Sequence, residues 1–395
     1  MIAIILSSMP VAAAPAQERP EPVMVRQGSG QIRPPLMTLM DPTPVALCGD
    51  VVVAPVQAGA IAPAAAGEGA GPERSTLHFA IDADGRTRDI RPAQPGDDGG
   101  PRAWSPETQA ELASWRFPAA ARSDCRLEVA YAPVAVADAD DALLARYFAV
   151  TRTTGALREA VERRLGGPQG DCFGPRRAER RPLRAGYPDF LRGPRPAPGV
   201  RSWTIVGWDV DAEGQPVGVR TVASSGDQIM DAEGRRAMQE MRLTPGPALT
   251  GCVYNFYRNG ETLTAPGLTP EEERRDPLQN CPQALRHRMV IASDLRFPAA
   301  FETRSIEGWA LVRFDVAPWG QIANVAVIEA QPAAAFGDAA QRLIQRSRAE
   351  PGFEAGVRCV VPVRYRIPDG DAPSASEPID GLGGGTPALP TVRLD

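Results

Sequence analysis

Gly308-Trp-Ala-Leu-Val-Arg-Phe-Asp-Val316, the turn Pro318-Trp-Gly320 and Ile322-Ala-Asn-Val-Ala-Val-Ile328 decide the fold. Ala310, Val312, Phe314 and Val316 recur with a period of two, which puts them on one side of an extended strand. The turn residues send the second run back as the other arm of a hairpin. From Phe336 to Ser347 the spacing becomes helical, with Phe336, Ala340, Leu343 and Ile344 on one side. Pro351-Gly352 ends that helix, and Cys359-Val-Val-Pro-Val-Arg-Tyr365 reads as a third strand. The predicted unit is strand, strand, helix, strand.

The same pattern occurs twice upstream, so the chain is read as an internal repeat. Counted from Gly85, Gly214 and Gly320, the first strands carry Leu77/Phe79/Ile81, Val206/Trp208/Val210 and Val312/Phe314/Val316 at matched offsets. The turns are Asp82-Ala-Asp-Gly85, Asp211-Ala-Glu-Gly214 and Ala317-Pro-Trp-Gly320. Helices are predicted over Ser105–Trp115, Met230–Met241 and Phe336–Ser347, each ending before a proline: Pro118, Pro245 and Pro351. Third strands begin at Cys125, Cys252 and Cys359, and Pro63, Pro188 and Pro298 mark a similar place in each repeat.

Six cysteines can pair in fifteen ways, but they fall two to a repeat, about 80 residues apart. The repeat selects Cys48–Cys125, Cys172–Cys252 and Cys281–Cys359, the plainer alternative being six buried thiols. Such bridges imply an oxidising compartment. A structural zinc site is not expected, because no C-x-x-C pair exists and the only histidines are His78 and His287.

The remaining composition bounds the class. The 395 residues allow two to four domains. A net charge of −5 gives no argument for nucleic acid, and all 43 basic residues are arginine. Met1 to Pro15 is a short apolar run with small residues at a cleavage position, so a signal peptide is expected over 1–16; it lacks a basic start, and an uncleaved anchor is the competing reading. No later run approaches the ~20 apolar residues of a membrane span. Asp138 to Gly167 reads as helical, either packed on repeat one or acting as a spacer that sets domain orientation. The arginines from Arg176 to Arg195 are interrupted by prolines and read as a solvated linker, with anionic envelope polymers or lipid head groups as the alternative. The expected organisation is an unstructured segment over 17–44, repeat one over 45–135, a helical linker over 136–168, repeat two over 169–262, repeat three over 278–368 and an unstructured tail over 369–395.

Each repeat resembles the C-terminal domain of the TonB energy-transducer family. Repeat three carries the likeness best, in Phe297-Pro-Ala-Ala-Phe301, Ile306-Glu-Gly308, the hairpin, and Phe336-Gly-Asp-Ala-Ala340. Repeat two adds Tyr187-Pro188, Ser224-Ser-Gly226 and Met230-Asp231, and repeat one keeps Trp115-Arg-Phe-Pro118. The resemblance implies an α+β fold of three tandem units, each a three-stranded antiparallel sheet with a helix on one face. It also implies strand addition, in which an open sheet edge takes up an extended segment of a TonB-dependent outer-membrane receptor or another envelope protein. The expected partner-binding residues are Val253, Tyr254, Asn255, Phe256 and Tyr257 in one edge and Val360, Val361, Val363 and Tyr365 in another, with Pro362 removing one donor. The family's membrane helix and its long Glu-Pro and Lys-Pro linker are not found in this sequence.

Catalytic chemistry is not expected. His78 lies on the strand face opposite Leu77 and Phe79 and is expected exposed, His287 follows Cys281 in a helix as a surface residue, and Ser224-Ser225 has no repeat-matched base. No cofactor or metal site is expected. The sequence thus predicts a non-enzymatic periplasmic binding or scaffold module in envelope transport. The alternatives are an energy-transducing component whose anchor lies elsewhere, and an envelope enzyme or inhibitor with a groove between repeats.

Overall fold

The computed structural model describes residues 37–66, 71–93, 106–151, 155–167, 169–173, 177–269, 276–282, 285–291, 296–352, 357–367 and 391–394. At the turn glycines Gly85, Gly214 and Gly320, φ is +79°, +85° and +88°, the left-handed region that glycine enters at no steric cost. A Cβ at each would also collide with a backbone carbonyl, that of Phe117, Leu243 or Ala349. Those three residues donate their N–H groups back to the glycine carbonyls at 2.9, 2.9 and 2.8 Å. Each hairpin tip therefore rests on the chain just beyond the following helix, by one and the same contact.

Along the chain, β1 (Thr38–Cys48), β2 (Val51–Val52) and β3 (Ala64–Ala65) precede the hairpin β4 (Glu73–Ile81) and β5 (Thr87–Pro92). Helix α1 (Pro106–Ser114) leads into β6 (Arg122–Ala135), completing a first sheet in the order β2-β1-β6-β4-β5 with β3 also on β1. Helices α2 (Asp141–Val150) and α3 (Ala156–Gly166) follow, and β7 (Pro182–Arg184) comes before β8 (Arg201–Val210) and β9 (Pro216–Ser224). Helix α4 (Gln228–Glu240), β10 (Arg242–Leu243) and β11 (Leu249–Asn259) complete a second sheet, β11-β8-β9, with a β7/β10 ribbon beside it. The last stretch holds α5 (Leu285–Arg288), β12 (Met289–Val290), α6 (Ala299–Glu302), β13 (Gly308–Val316), β14 (Ile322–Gln331), α7 (Ala334–Arg346), β15 (Arg348–Ala349), β16 (Val357–Arg366) and β17 (Thr391–Leu394). Its sheet runs β14-β13-β16-β17, with a β12/β15 ribbon. The strand ladders are antiparallel and the helices pack against them, so the class is α+β.

Disulfides join Cys48–Cys125, Cys172–Cys252 and Cys281–Cys359, across 77, 80 and 78 positions. Each ties the segment ahead of a hairpin to the long strand that follows the next helix. Closing a loop of that length removes unfolded-state entropy equivalent to about 4.5 kcal/mol.

The cores follow from strand alternation. Val312, Phe314 and Val316 lie at 2% exposure or less, facing Phe336, Ala340, Leu343 and Ile344 of α7. The first and third sheets share one continuous apolar core. Their joint also holds an ion pair at 2.6 Å between Glu111 of α1 and Arg304, with side chains 4% and 6% exposed. Ile90 of β5 donates its N–H to the Pro332 carbonyl at 2.9 Å, so the hairpin edge of the first sheet meets the end of β14.

Four expectations need correction. Residues 38–44, assigned to an unstructured segment, belong to β1; Pro42 and Pro44 fit there because a proline costs a strand nothing where its outer side carries no ladder. Residues 391–394 of the supposedly unstructured tail form β17, while the expected leader, 17–36 and 368–390 lie outside the described residues. The three-stranded sheet is extended by β1, β2 and β3 in the first case and by β17 in the third. The helical linker is two helices rather than one, and it packs on more than the first sheet. Leu143, Leu144, Tyr147 and Phe148 share a core with Leu39 of β1 and with Ile205 and Val253 of the second sheet. The reason is that β8 is apolar on both faces, Trp203 and Ile205 toward these helices, Val206 and Trp208 toward α4.

Candidate strand-docking edges

The edge of β16 is built from the motifs that the sequence singled out. Phe297, Phe301, Phe336 and Tyr365 form one aromatic cluster under the sheet, with ring centroids 4.7–5.9 Å apart. Tyr365 is wholly buried there, and burial pushes its hydroxyl well above the usual tyrosine range. A Cβ on Gly308 would strike the Phe336 ring and the Gln331 carbonyl, so this strand starts with glycine. Glu307, next to it and 5% exposed, pairs with Arg366 at 2.6 Å and accepts the Ile367 N–H at 3.0 Å. One carboxylate thus pins the end of β16. At the other end the Asn280 N–H donates to the Arg358 carbonyl at 3.1 Å, and the Arg358 N–H donates to the Asn280 side chain at 2.6 Å.

Between these anchors the side chains are spent on the core. Val361, Val363 and Tyr365 face the main core; Val360 packs with Trp309 and Leu311 on the opposite face. These four buried side chains leave a partner only the main-chain edge beside them. Part of it is already taken, because β17 pairs antiparallel with β16 through Val363↔Leu394, Arg364↔Arg393, Tyr365↔Val392 and Arg366↔Thr391. Pairing stops one residue short of Pro362.

β11 is the equivalent strand of the second sheet. Among the described residues, β8 is the strand that pairs with it. Val253 is buried against α2 and α3, and Phe256 is buried under α4 with the Tyr254 ring at 4.8 Å. Asn255 donates its amide to the Ala149 carbonyl at 3.1 Å, and Tyr257 lies beneath the Arg201 guanidinium at 4.5 Å. The far end is held by Arg258, which pairs with Asp227 at 2.6 Å and donates to the carbonyls of Arg192 and Pro194. Burial acts to raise the Asp227 carboxyl, but the Met230 N–H and Arg258 outweigh it and hold it below its ordinary value.

The nine predicted edge residues are therefore brought together as two separate strands, five on β11 and four on β16, and not as one site. Sequence reasoning missed Glu307 as an anchor, although its place between Ile306 and Gly308 in a family motif was visible. It also missed the Asp227–Arg258 pair, for which residues 31 positions apart give no local signal. Elsewhere, His78 is half-buried rather than exposed, Ser224 donates to Asp231 at 2.9 Å, and Ser225 donates to the Trp203 carbonyl. The side chain of His287 lies outside what the structure describes.

Residues 293–367, spanning α6 through β16, match the family described as Gram-negative bacterial TonB protein C-terminal. Over 80 residues, 20% of this chain, the sequence is 36% identical to Protein TonB of Escherichia coli (strain K12). The match spans 33% of that protein's length, so the likeness concerns a third of this curated relative. This part of the chain is a TonB C-terminal-like domain.

Proposed function

We propose that the chain is a non-enzymatic periplasmic protein of three TonB C-terminal-like modules, each closed by its own disulfide, and that it acts as a binding or scaffold module in envelope transport. It recognises partners by strand addition, with β16 as the main docking edge and β11 as a second. The partners are extended segments of TonB-dependent receptors or of other envelope proteins. The observation that carries this reading is that β16 lies in the matched domain, has both faces buried, and accepts an antiparallel strand on its outer edge. In such a site main-chain hydrogen bonds supply affinity, which is the chemistry of β-augmentation. The repeated turn contact, in which Gly85, Gly214 and Gly320 each accept the N–H that follows a helix, supports three copies of one module.

The test is a titration of the isotope-labelled full chain with synthetic extended peptides from outer-membrane receptors. Saturable amide shifts confined to β16 and its neighbours β13 and β17 are expected. Shifts confined to other elements, or none at millimolar peptide, would refute strand addition at this edge.

The likeness to Protein TonB favours a second reading, an energy-transducing component. Among the described residues no helix is long and apolar enough to cross a membrane, so this role needs an anchor outside them or in another subunit. An in-frame basic and apolar extension upstream of Met1 in the genomic DNA, or co-purification with an inner-membrane motor, would support it over the scaffold.

A further inference from the structure

Tyr187-Pro188 and Phe297-Pro298 mark the same place in two of the repeats, yet the apolar residues there have opposite fates. Phe297 and Phe301 are buried in the core that the third sheet shares with the first. Tyr187 and Leu191, at the matching positions, are 46% and 65% exposed. Leu183 is 65% exposed and Ile229 of α4 is 37% exposed. Packing in the second sheet does not account for four large apolar side chains left in water.

The four lie along one strap. Residues 186–193 run antiparallel to α4: a Cβ on Gly186 would strike the Ala237 carbonyl, and one on Gly193 would strike Ile229. In between, Arg236 donates to the Tyr187 carbonyl at 3.0 Å and the Asp189 N–H donates to Glu233 at 3.0 Å. The eight positions from Ile229 to Ala237 cover about 12 Å of helix. At its other end the strap continues into β7, where Arg184 pairs with Arg242 of β10, just past the end of α4.

Arginines are interleaved with the apolar residues. From Arg177 to Arg195 the chain carries six arginines against Glu179 and Asp189, although the net charge of the protein is −5. Arg180 is buried and donates to the carbonyls of Pro247 and Asp211, and Arg192 is shared with Glu233. Arg181 has no ion-pair partner among the described residues, and the Arg184 side chain is 68% exposed with its one acid, Glu240, 4.0 Å away. Pro188, Pro194, Pro196 and Pro198 withhold backbone donors, so the strap offers no continuous ladder to an incoming strand and meets a partner through side chains.

We infer that this strap is a membrane-facing surface, which lies on an anionic bilayer with Leu183, Tyr187, Leu191 and Ile229 in the interface and Arg181 and Arg184 on lipid phosphates. The side chains match the two chemistries of that boundary. Guanidinium groups take phosphate oxygens in pairs, tyrosine sits at head-group level, and leucine and isoleucine bury in the acyl margin. Each arginine near such a surface contributes about fivefold in affinity. The inference is independent of strand addition at β16.

The experiment sediments the full chain with vesicles of phosphatidylcholine, alone or mixed with phosphatidylglycerol. Binding to the anionic vesicles alone is expected, and it should weaken as salt is added. Arg181→Ser combined with Arg184→Ser should lower it about thirtyfold, with an unchanged thermal melt. Leu191→Trp should give blue-shifted emission, quenched by brominated lipid, on the anionic vesicles, whereas Val56→Trp, at an equally exposed place in the first sheet's part of the chain, should not. Absence of binding, equal binding to neutral vesicles, or binding without the Leu191→Trp shift would overturn the inference. So would a dimer of the parent chain in sedimentation equilibrium that Leu183→Ser with Leu191→Ser abolishes, since the strap would then meet a second copy.

Discussion

The ion pair between Glu111 and Arg304 offers the sharpest test of how the first and third sheets are joined. Its atoms are 2.6 Å apart and both side chains are almost fully buried, so a charge left alone at this joint has no water to solvate it. Replacing Arg304 by Met should therefore cost about 3–5 kcal/mol, and Glu111→Leu a similar amount, because each leaves the opposite charge buried without its counter-ion. Replacing both at once removes both desolvation costs, and the pair of apolar side chains adds surface to the core that the two sheets already share. The double variant should consequently cost no more than the milder single one. Urea unfolding followed by tryptophan fluorescence reads this directly, since Trp115 is buried at the end of the helix that carries Glu111. Losses that add, with the double variant as unstable as the two singles together, would refute the argument. So would single variants costing less than about 1 kcal/mol, which is the range of a solvated surface pair.

Gly320→Ala should cost about 2–4 kcal/mol, from the left-handed backbone and from the collision with the Ala349 carbonyl, whereas Gly352→Ala, at φ +103° but meeting only the end of the Arg288 side chain at 3.4 Å, should cost about 1; thermal melts of the two variants give the comparison. The buried carboxyl of Glu233 is raised by burial but lowered more strongly by hydrogen bonds from Arg236, the Asp189 N–H and Arg192, and ends at about 2. Its folded value lies below the unfolded one, so its stabilisation of about 3 kcal/mol is fully present above about pH 5 and is lost as pH falls from 4.5 through 2; Glu233→Gln should flatten that acid limb of the unfolding profile. Serine at both Cys281 and Cys359 should lower stability by up to about 4.5 kcal/mol, and reductant should then shift the urea midpoint of the variant less than that of the parent.

Where the sequence was legible, the reason is local. Val312, Phe314 and Val316 are two apart because one sheet face is buried, and Gly320 is a glycine because its turn admits nothing else. The cysteine pairing was legible for the same reason, since each pair spans one such unit. Three features were not. The β1 segment Asp41-Pro-Thr-Pro44 has turn-forming composition, and only its place beside β6 makes it a strand. The docking of α2 and α3 depends on the second apolar face of β8, where Trp203 and Ile205 alternate with the residues that the repeat pattern picked out. The joint between Glu111 and Arg304 links residues almost two hundred positions apart, and no local periodicity announces it.

These unread features bear on function because they decide which edges are free. The hairpins, the helices and the disulfides are alike in the three sheets, and the strand edges are where the sheets differ. In the first sheet the edge of β6 is paired along its length by β1, and β5 meets the end of β14. On β11 and β16 the predicted residues Val253, Phe256, Val361, Val363 and Tyr365 are all committed to cores, so neither strand can select a partner through those side chains. Main-chain bonding alone does not discriminate between sequences. On the strand-addition reading, selection comes from the side chains along the edge, and on β16 these include Arg366, which Glu307 holds. Glu307→Gln releases that arginine and loosens the end of β16 without touching the core. It should therefore weaken strand binding and speed amide exchange at Tyr365 and Arg366, while the aromatic cluster beneath keeps its near-ultraviolet circular dichroism. Loss of that signal in the variant would show that Glu307 serves the core and not the edge.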